Sequence, residues 1–176
     1  MYISEISTTQ IAKGKDATQD KVFDLLDELK IPYECVENDV VEAMEECKEI
    51  DEKLGTEIRK SIFLCNRKKT AFFLVIMPAE KRLSMSELGQ KLGKLSFASE
   101  EYMMQYLGCH PGSVSVMGVI NDTQGKVQVV VDKEVADEEW FGCNPGINTA
   151  HLKLKTNDVL KKFLPKTGHF PQVMTI

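Results

Sequence analysis

The sequence predicts an α/β domain, a mixed β-sheet flanked by helices, and three observations point to it. Two apolar β-forming runs, residues 61–65 and 70–77, flank the polar turn Asn66-Arg67-Lys68-Lys69 and read as a β-hairpin. Segments with helical spacing or caps alternate with further β-forming runs along the chain, the pattern of hairpins mixed with helical crossovers. The 176 residues hold no repeat, linker or low-complexity tract, and the length suffices for one well-filled core. The reading is a single domain over residues 1–176, with 1–15 an irregular N-terminal extension.

Residues 16–30 form the first helix, because Val22, Leu25, Leu26 and Leu29 recur at helical spacing. Ile31-Pro32 stops it, since the residue before proline disfavours the helical region. A strand is expected over 33–41, then a charged helix over 42–54 with the narrow apolar stripe Ala43, Met44, Cys47 and Ile50, ended by Gly55. The hairpin follows. Its second strand is apolar without alternation, so both of its faces should be buried, and Pro78 ends it.

Ser84 followed by Glu87 is a capping box opening a helix over 87–92, and Ser99 starts a second short helix that ends at Gly108. Val114 to Ile120 reads as a strand, residues 121–125 as a turn, and 127–132 as a strongly β-forming run. A strand over 151–154 precedes a helix over 157–164 capped by Thr156 or Asn157. Gly168-His169-Phe170-Pro171 leads into a closing strand over 172–176.

Composition bounds the function. No apolar run approaches the roughly 20 residues that cross a bilayer, and residues 1–6 lack the basic-then-apolar build of a signal peptide, so the expectation is cytoplasmic with no membrane partner. Five cysteines, odd in number and without a C-x-x-C pair, argue against a disulfide framework or a zinc knuckle. The three histidines lack metal-ligand spacing, so no metal site is expected. The net charge of −5 is unevenly spread: residues 34–57 carry ten acids against two lysines, which leaves the remainder at +3. Residues 151–176 hold five lysines and one acid, and such local basic patches can hold a phosphate backbone whatever the total.

Two loops carry the candidate chemistry. Gly108-Cys109-His110-Pro111-Gly112-Ser113-Val114-Ser115 is stiffened by proline and freed by glycine, so it can present backbone groups to a small ligand. Residues 141–150 repeat that character, with Asn144, Asn148 and Thr149 as polar candidates. Lys60 opens a hairpin strand, where its ammonium can bind a phosphate or polarise a carbonyl. Signatures of a covalent nucleophile, a P-loop or a metalloprotease are missing, and the neighbours Cys109 and His110 make a poor nucleophile–base pair.

Over roughly residues 16–176 the chain resembles the YbaK/ProX family of prolyl-tRNA editing domains, in particular its free-standing, PrdX-like branch. The likeness rests on Lys60-Ser61-Ile62-Phe63-Leu64, the loop from Gly108 to Ser115, Leu95-Ser96-Phe97-Ala98, Asn144-Pro145-x-x-Asn148-Thr149-Ala150, and Lys166-Thr167-Gly168-His169-Phe170-Pro171. It implies a mixed, mostly antiparallel and partly barrel-like sheet. It also implies a trans-acting hydrolase that removes alanine from tRNA of the proline type without a cofactor, metal or covalent nucleophile, helped by the substrate's own ribose hydroxyl. Mischarged tRNA is then the partner, prolyl-tRNA synthetase a second candidate, and the oligomeric state stays open.

By the same resemblance Lys60 would take the terminal phosphate or the ester carbonyl. Gly108, His110, Pro111, Gly112, Ser113, Val114 and Ser115 would bind substrate, the loop from Gly112 to Val116 enclosing an alanine-sized group with its backbone amides, and Asn144, Asn148 and Thr149 would line the other wall. A cysteinyl-tRNA deacylase and a non-catalytic module that binds tRNA or amino acids are the alternatives. Two positions depart from the family pattern. Val116 stands where proline is common, which bears on pocket rigidity and amino-acid choice. Asn144 replaces histidine before Pro145, so proton transfer there is lost while hydrogen bonding remains.

Overall fold

The computed structural model describes residues 1–176. Helix α1 (Ala17–Glu28) starts where the Asp16 carboxylate accepts the Gln19 N–H, and it buries Val22, Phe23 and Leu26. Strand β1 is Glu34–Glu37, shorter than the expected strand. A 3₁₀ turn, Met44–Cys47, runs into helix α2 (Lys48–Leu54), which Gly55 ends in the left-handed conformation at φ 69°. Strands β2 (Lys60–Asn66) and β3 (Phe72–Met77) form the expected hairpin, and all six residues of β3 are buried.

Helix α3 (Met85–Leu92) is capped by Ser84, as the capping box predicts, and strand β4 (Leu95–Phe97) follows it. Helix α4 begins at Glu100–Tyr102 and widens to a π-turn over Met103–Leu107. Strand β5 (Val127–Asp132) leads into the single turn α5 (Lys133–Ala136), then β6 (Trp140–Cys143) and β7 (Ala150–Lys155). Helix α6 begins at Thr156–Asp158, widens through Val159–Phe163 and ends at Leu164–Lys166. Pro165 cannot donate to the helical ladder, and the widened turn lies against it. Strand β8 is Gln172–Met174.

Two sheets result. The larger has the order β4-β2-β3-β5-β8, antiparallel around β2 and parallel from β3 to β5 and from β5 to β8. The smaller, β1-β7-β6, is antiparallel throughout. A bridge between Ile58 and Gly142 joins them, and they do not close into a barrel. Alternation sorts the larger sheet's side chains: Phe63, Phe72, Leu74, Ile76, Val129 and Val131 enter the main core, while Leu64, Phe73, Val75, Met77 and Val130 face α3. A third cluster, with Val36, Ile50 and Leu54, sits under the smaller sheet. No helix is long and apolar enough to cross a membrane.

Two sequence expectations need correction. Val116–Asn121 is a 3₁₀ helix, not part of a strand. Ser115 causes the turn, because its Oγ accepts the Met117 N–H at 3.2 Å and so diverts the backbone, while Val116, Met117 and Val119 are all buried in a helical arrangement that a one-sided strand does not offer. Gly118 fits there because a Cβ would stand 2.8 Å from the Leu107 carbonyl oxygen. Helix α6 also starts one residue early, with no side-chain cap: the Thr156 N–H is spent on the Glu139 carbonyl, and its hydroxyl is buried without a partner.

Candidate active site

The first loop is a tight turn. The Ser113 N–H donates to the His110 carbonyl at 2.9 Å, with Pro111 and Gly112 between them and Gly112 at φ 84°, the geometry of a type II turn. The Ser113 hydroxyl reinforces it, donating to the His110 carbonyl and accepting the His110 N–H. The second loop folds on itself, with Asn144 Oδ1 accepting the Gly146 N–H at 2.8 Å. Ser115 ties the two together, its Oγ donating to the Asn144 carbonyl at 2.6 Å. Asn38, beyond β1, pins the second loop by donating from Nδ2 to the Asn148 carbonyl and from its N–H to the Thr149 carbonyl.

Lys60, Pro111, Gly112, Val114 and Asn144 line one cavity of about 290 Å³. That is room for roughly ten waters, well beyond an alanine side chain. Neither Gly112 nor Val114 has a partner for its backbone N–H within the protein. The Lys60 ammonium donates to the Lys81 carbonyl, and partial burial together with the nearby Arg82 lowers its pKa.

Of the other sequence candidates, Gly108 is the left-handed end of α4, packed so closely that a Cβ would lie 2.3 Å from Asn121 Nδ2. His110 is exposed, whereas Ser113 and Ser115 are buried and act as ties. Asn148 stands behind Gly112, and with Thr149 it lies outside the cavity lining. Burial pushes the Cys109 and Cys143 thiols up to about 12, which leaves both un-ionised and inert as nucleophiles near neutrality.

A sequence profile described as the aminoacyl-tRNA editing domain matches residues 39–162. The chain belongs to that family. This editing domain is 36% identical over 156 residues to the prolyl-tRNA editing protein ProX of Acetoanaerobium sticklandii, covering 88% of this chain and 94% of that protein. It is 28% identical to the prolyl-tRNA synthetase associated domain-containing protein 1 of Danio rerio, over 86% of this chain and 84% of the relative. A crystal structure of a candidate trans-editing enzyme for prolyl-tRNA synthetase superposes with a TM-score of 0.67 at 18% identity, covering 91% and 96% of the two chains, and so shares the fold.

Several cavity residues of the editing domain escape sequence reasoning. Val41, Glu42, Ala43, Met44 and Cys47 also line the cavity, from a stretch that reads only as the end of a strand and the start of a charged helix. Phe97, 70% exposed, and Met103 stand at the edge of β4 and in α4. His151 lines the cavity although it is 2% exposed. Its sequence signal is weak, a lone histidine opening a strand. What singles it out is Asn38, distant in sequence and brought beside it by the pairing of β1 with β7.

Proposed function

We propose that the chain is a trans-editing deacylase that hydrolyses the ester of alanine mischarged onto tRNA of the proline type. The observation that carries this reading is the single cavity shared by Lys60, the Gly112–Val114 backbone and Asn144. The names of its relatives supply the tRNA type. An aminoacyl ester is already activated, so orientation and stabilisation of the oxyanion suffice without a covalent intermediate.

In this mechanism the unpartnered N–H groups of Gly112 and Val114 receive the carbonyl oxygen as it gains negative charge. The Lys60 ammonium leaves the Lys81 carbonyl for the terminal phosphate. The exposed ring of Phe97 offers a stacking surface for the terminal adenine. Water adds to the acyl carbon with the help of the neighbouring ribose hydroxyl. The acyl–oxygen bond then breaks, the ribose oxygen takes the proton, and alanine leaves. Proline is excluded by shape, a stronger discriminator than the ~1–3 kcal/mol a methylene contributes to binding. Prolyl-tRNA synthetase is the candidate source of the mischarged substrate.

The test is incubation with proline-type tRNA charged with alanine, cysteine or proline. Release of alanine alone is expected. Preferential release of cysteine would reassign the substrate, and binding without release would make the chain a recognition module. Lys60→Ala should lower kcat/KM for alanine release by roughly 100-fold or more while the circular dichroism spectrum stays unchanged, in line with the loss of one preorganised electrostatic group. A wild-type rate would remove Lys60 from the mechanism.

A further inference from the structure

His151 carries an inference of its own, which rests on the editing reading and names what the site recognises. Its Nδ1 lies 2.8 Å from Asn38 Oδ1. Both protons on Asn38 Nδ2 are committed to backbone carbonyls, to Asp39 at 2.7 Å and to Asn148 at 3.1 Å, so the remaining Asn38 oxygen can only accept. The network therefore places the His151 proton on Nδ1 and the lone pair on Nε2. Nε2 has no hydrogen-bond partner in the protein, and the ring lines the cavity. A fixed acceptor with no donor in the protein thus faces the cavity, where a ligand's N–H can reach it.

The surroundings select the donor. The cavity is also lined by residues from Val41 to Cys47, and Glu42 contributes to it within the segment of ten acids against two lysines. Lys60 lies along the β2 side, where the neighbouring Arg59 is already paired with Glu57 at 3.2 Å. The field across the cavity therefore runs from cationic to anionic, and a ligand carrying a phosphate at one end and an ammonium at the other aligns with it. Burial also holds the His151 pKa down at about 4, so the ring stays neutral and does not repel a cation.

We propose that His151 Nε2 accepts a hydrogen bond from the free α-ammonium of the aminoacyl ester, so that the site distinguishes aminoacyl-tRNA from N-blocked, peptidyl-type esters. The ammonium donates one N–H to Nε2 and no proton is transferred.

The test compares alanyl-tRNA with N-acetylalanyl-tRNA of the proline type, using the wild type and His151→Phe. The wild type should favour the free amine by roughly 10- to 100-fold in kcat/KM, the range of a hydrogen bond to a charged group. His151→Phe should lose most of that factor on the free amine, chiefly through KM, and change little on the acetylated ester. His151→Gln, which keeps an acceptor, should restore part of the preference, and it serves also if the phenylalanine variant does not fold. Equal hydrolysis of both esters by the wild type would overturn the inference while leaving the editing reading intact. An equal loss on both esters in His151→Phe would overturn it too, assigning the ring to the attacking water. A wild type that releases nothing from either ester would sink the editing reading and this inference with it.

Discussion

The two glycine-proline loops look alike in sequence and behave differently in the fold. Residues 108–115 turn around an exposed Pro111-Gly112 pair and leave two amides unpaired at the cavity. Residues 144–146 are buried, their polar groups are turned on themselves or on Ser115, and Asn38 ties down the carbonyls of Asn148 and Thr149 beyond them. One loop presents its backbone and the other supports it. Stiff composition alone does not say which, because the difference lies in where the spare hydrogen-bonding capacity is left.

The largest effect should come from disturbing the supporting loop. Gly146 sits at φ 106°, and a Cβ there would approach Thr18 Cγ2 to 2.6 Å. Gly146→Ala should therefore cost about 2–5 kcal/mol of stability, from backbone strain plus overpacking, with the rate per folded molecule retained. Thermal melts beside active-site titration would check it, and an unshifted melting temperature would end the contrast. Ser115→Ala strikes the tie between the loops. It should cost about 1–3 kcal/mol by stranding the Met117 N–H in a buried site, with a partial loss of rate.

Gly112→Ala should do the reverse of Gly146→Ala. A Cβ there would make only ordinary van der Waals contact, the nearest atoms being Glu42 Cα and O at 3.8 Å, so only φ 84° is penalised, at about 1–2 kcal/mol. Activity should fall by roughly tenfold, since the strained turn no longer holds its amides in place for the oxyanion. A variant with full activity would remove this loop from the site.

The smallest effect concerns pH. The His151 pKa is lowered by burial to about 4, below its ordinary 6.5, so the unfolded chain binds more protons between those values and acidification destabilises the fold. Burial raises Asp51 to about 6 from 3.8, so there the folded chain binds more protons and acidification stabilises it. The two slopes oppose each other between about pH 6 and 4. Asp51→Asn should steepen the loss of stability on acidification across that window, measured by urea midpoints at pH 6 and pH 4. An unchanged slope would show that Asp51 titrates alike in the folded and unfolded chain.

Much of this fold is legible because its local signals agree with its packing. The hairpin of β2 and β3, the Ser84 cap and the glycine ends of α2 and α4 each satisfy backbone groups with residues a few positions away. The failures come where a distant partner decides. Val116 to Asn121 has strand-forming residues, yet Ser115 answers to its Met117 N–H and to Asn144, twenty-nine residues on. Strand β6, which falls mostly within the expected loop 141–150, and the wall from Val41 to Cys47 depend on partners in the smaller sheet, and so does the tautomer of His151. Lys60 and the first loop were found as candidates because their residue types are unusual for their positions. His151 does not stand out in the sequence, because its significance lies in Asn38.

The Ile58–Gly142 bridge has a consequence for motion. Beside it the Arg59 N–H donates to the Gly142 carbonyl at 2.9 Å, and the cavity straddles this seam, with Ser61 and Phe63 on one side and His151 on the other. The main cluster spans both sheets, joining Phe63, Leu74 and Ile76 of the larger to Cys35, Phe141, Leu152 and Leu154 of the smaller, so the two cannot part at this seam without opening a shared core. The Arg59 amide should therefore exchange with deuterium as slowly as its neighbours in β2, the cavity being held by both sheets as one body.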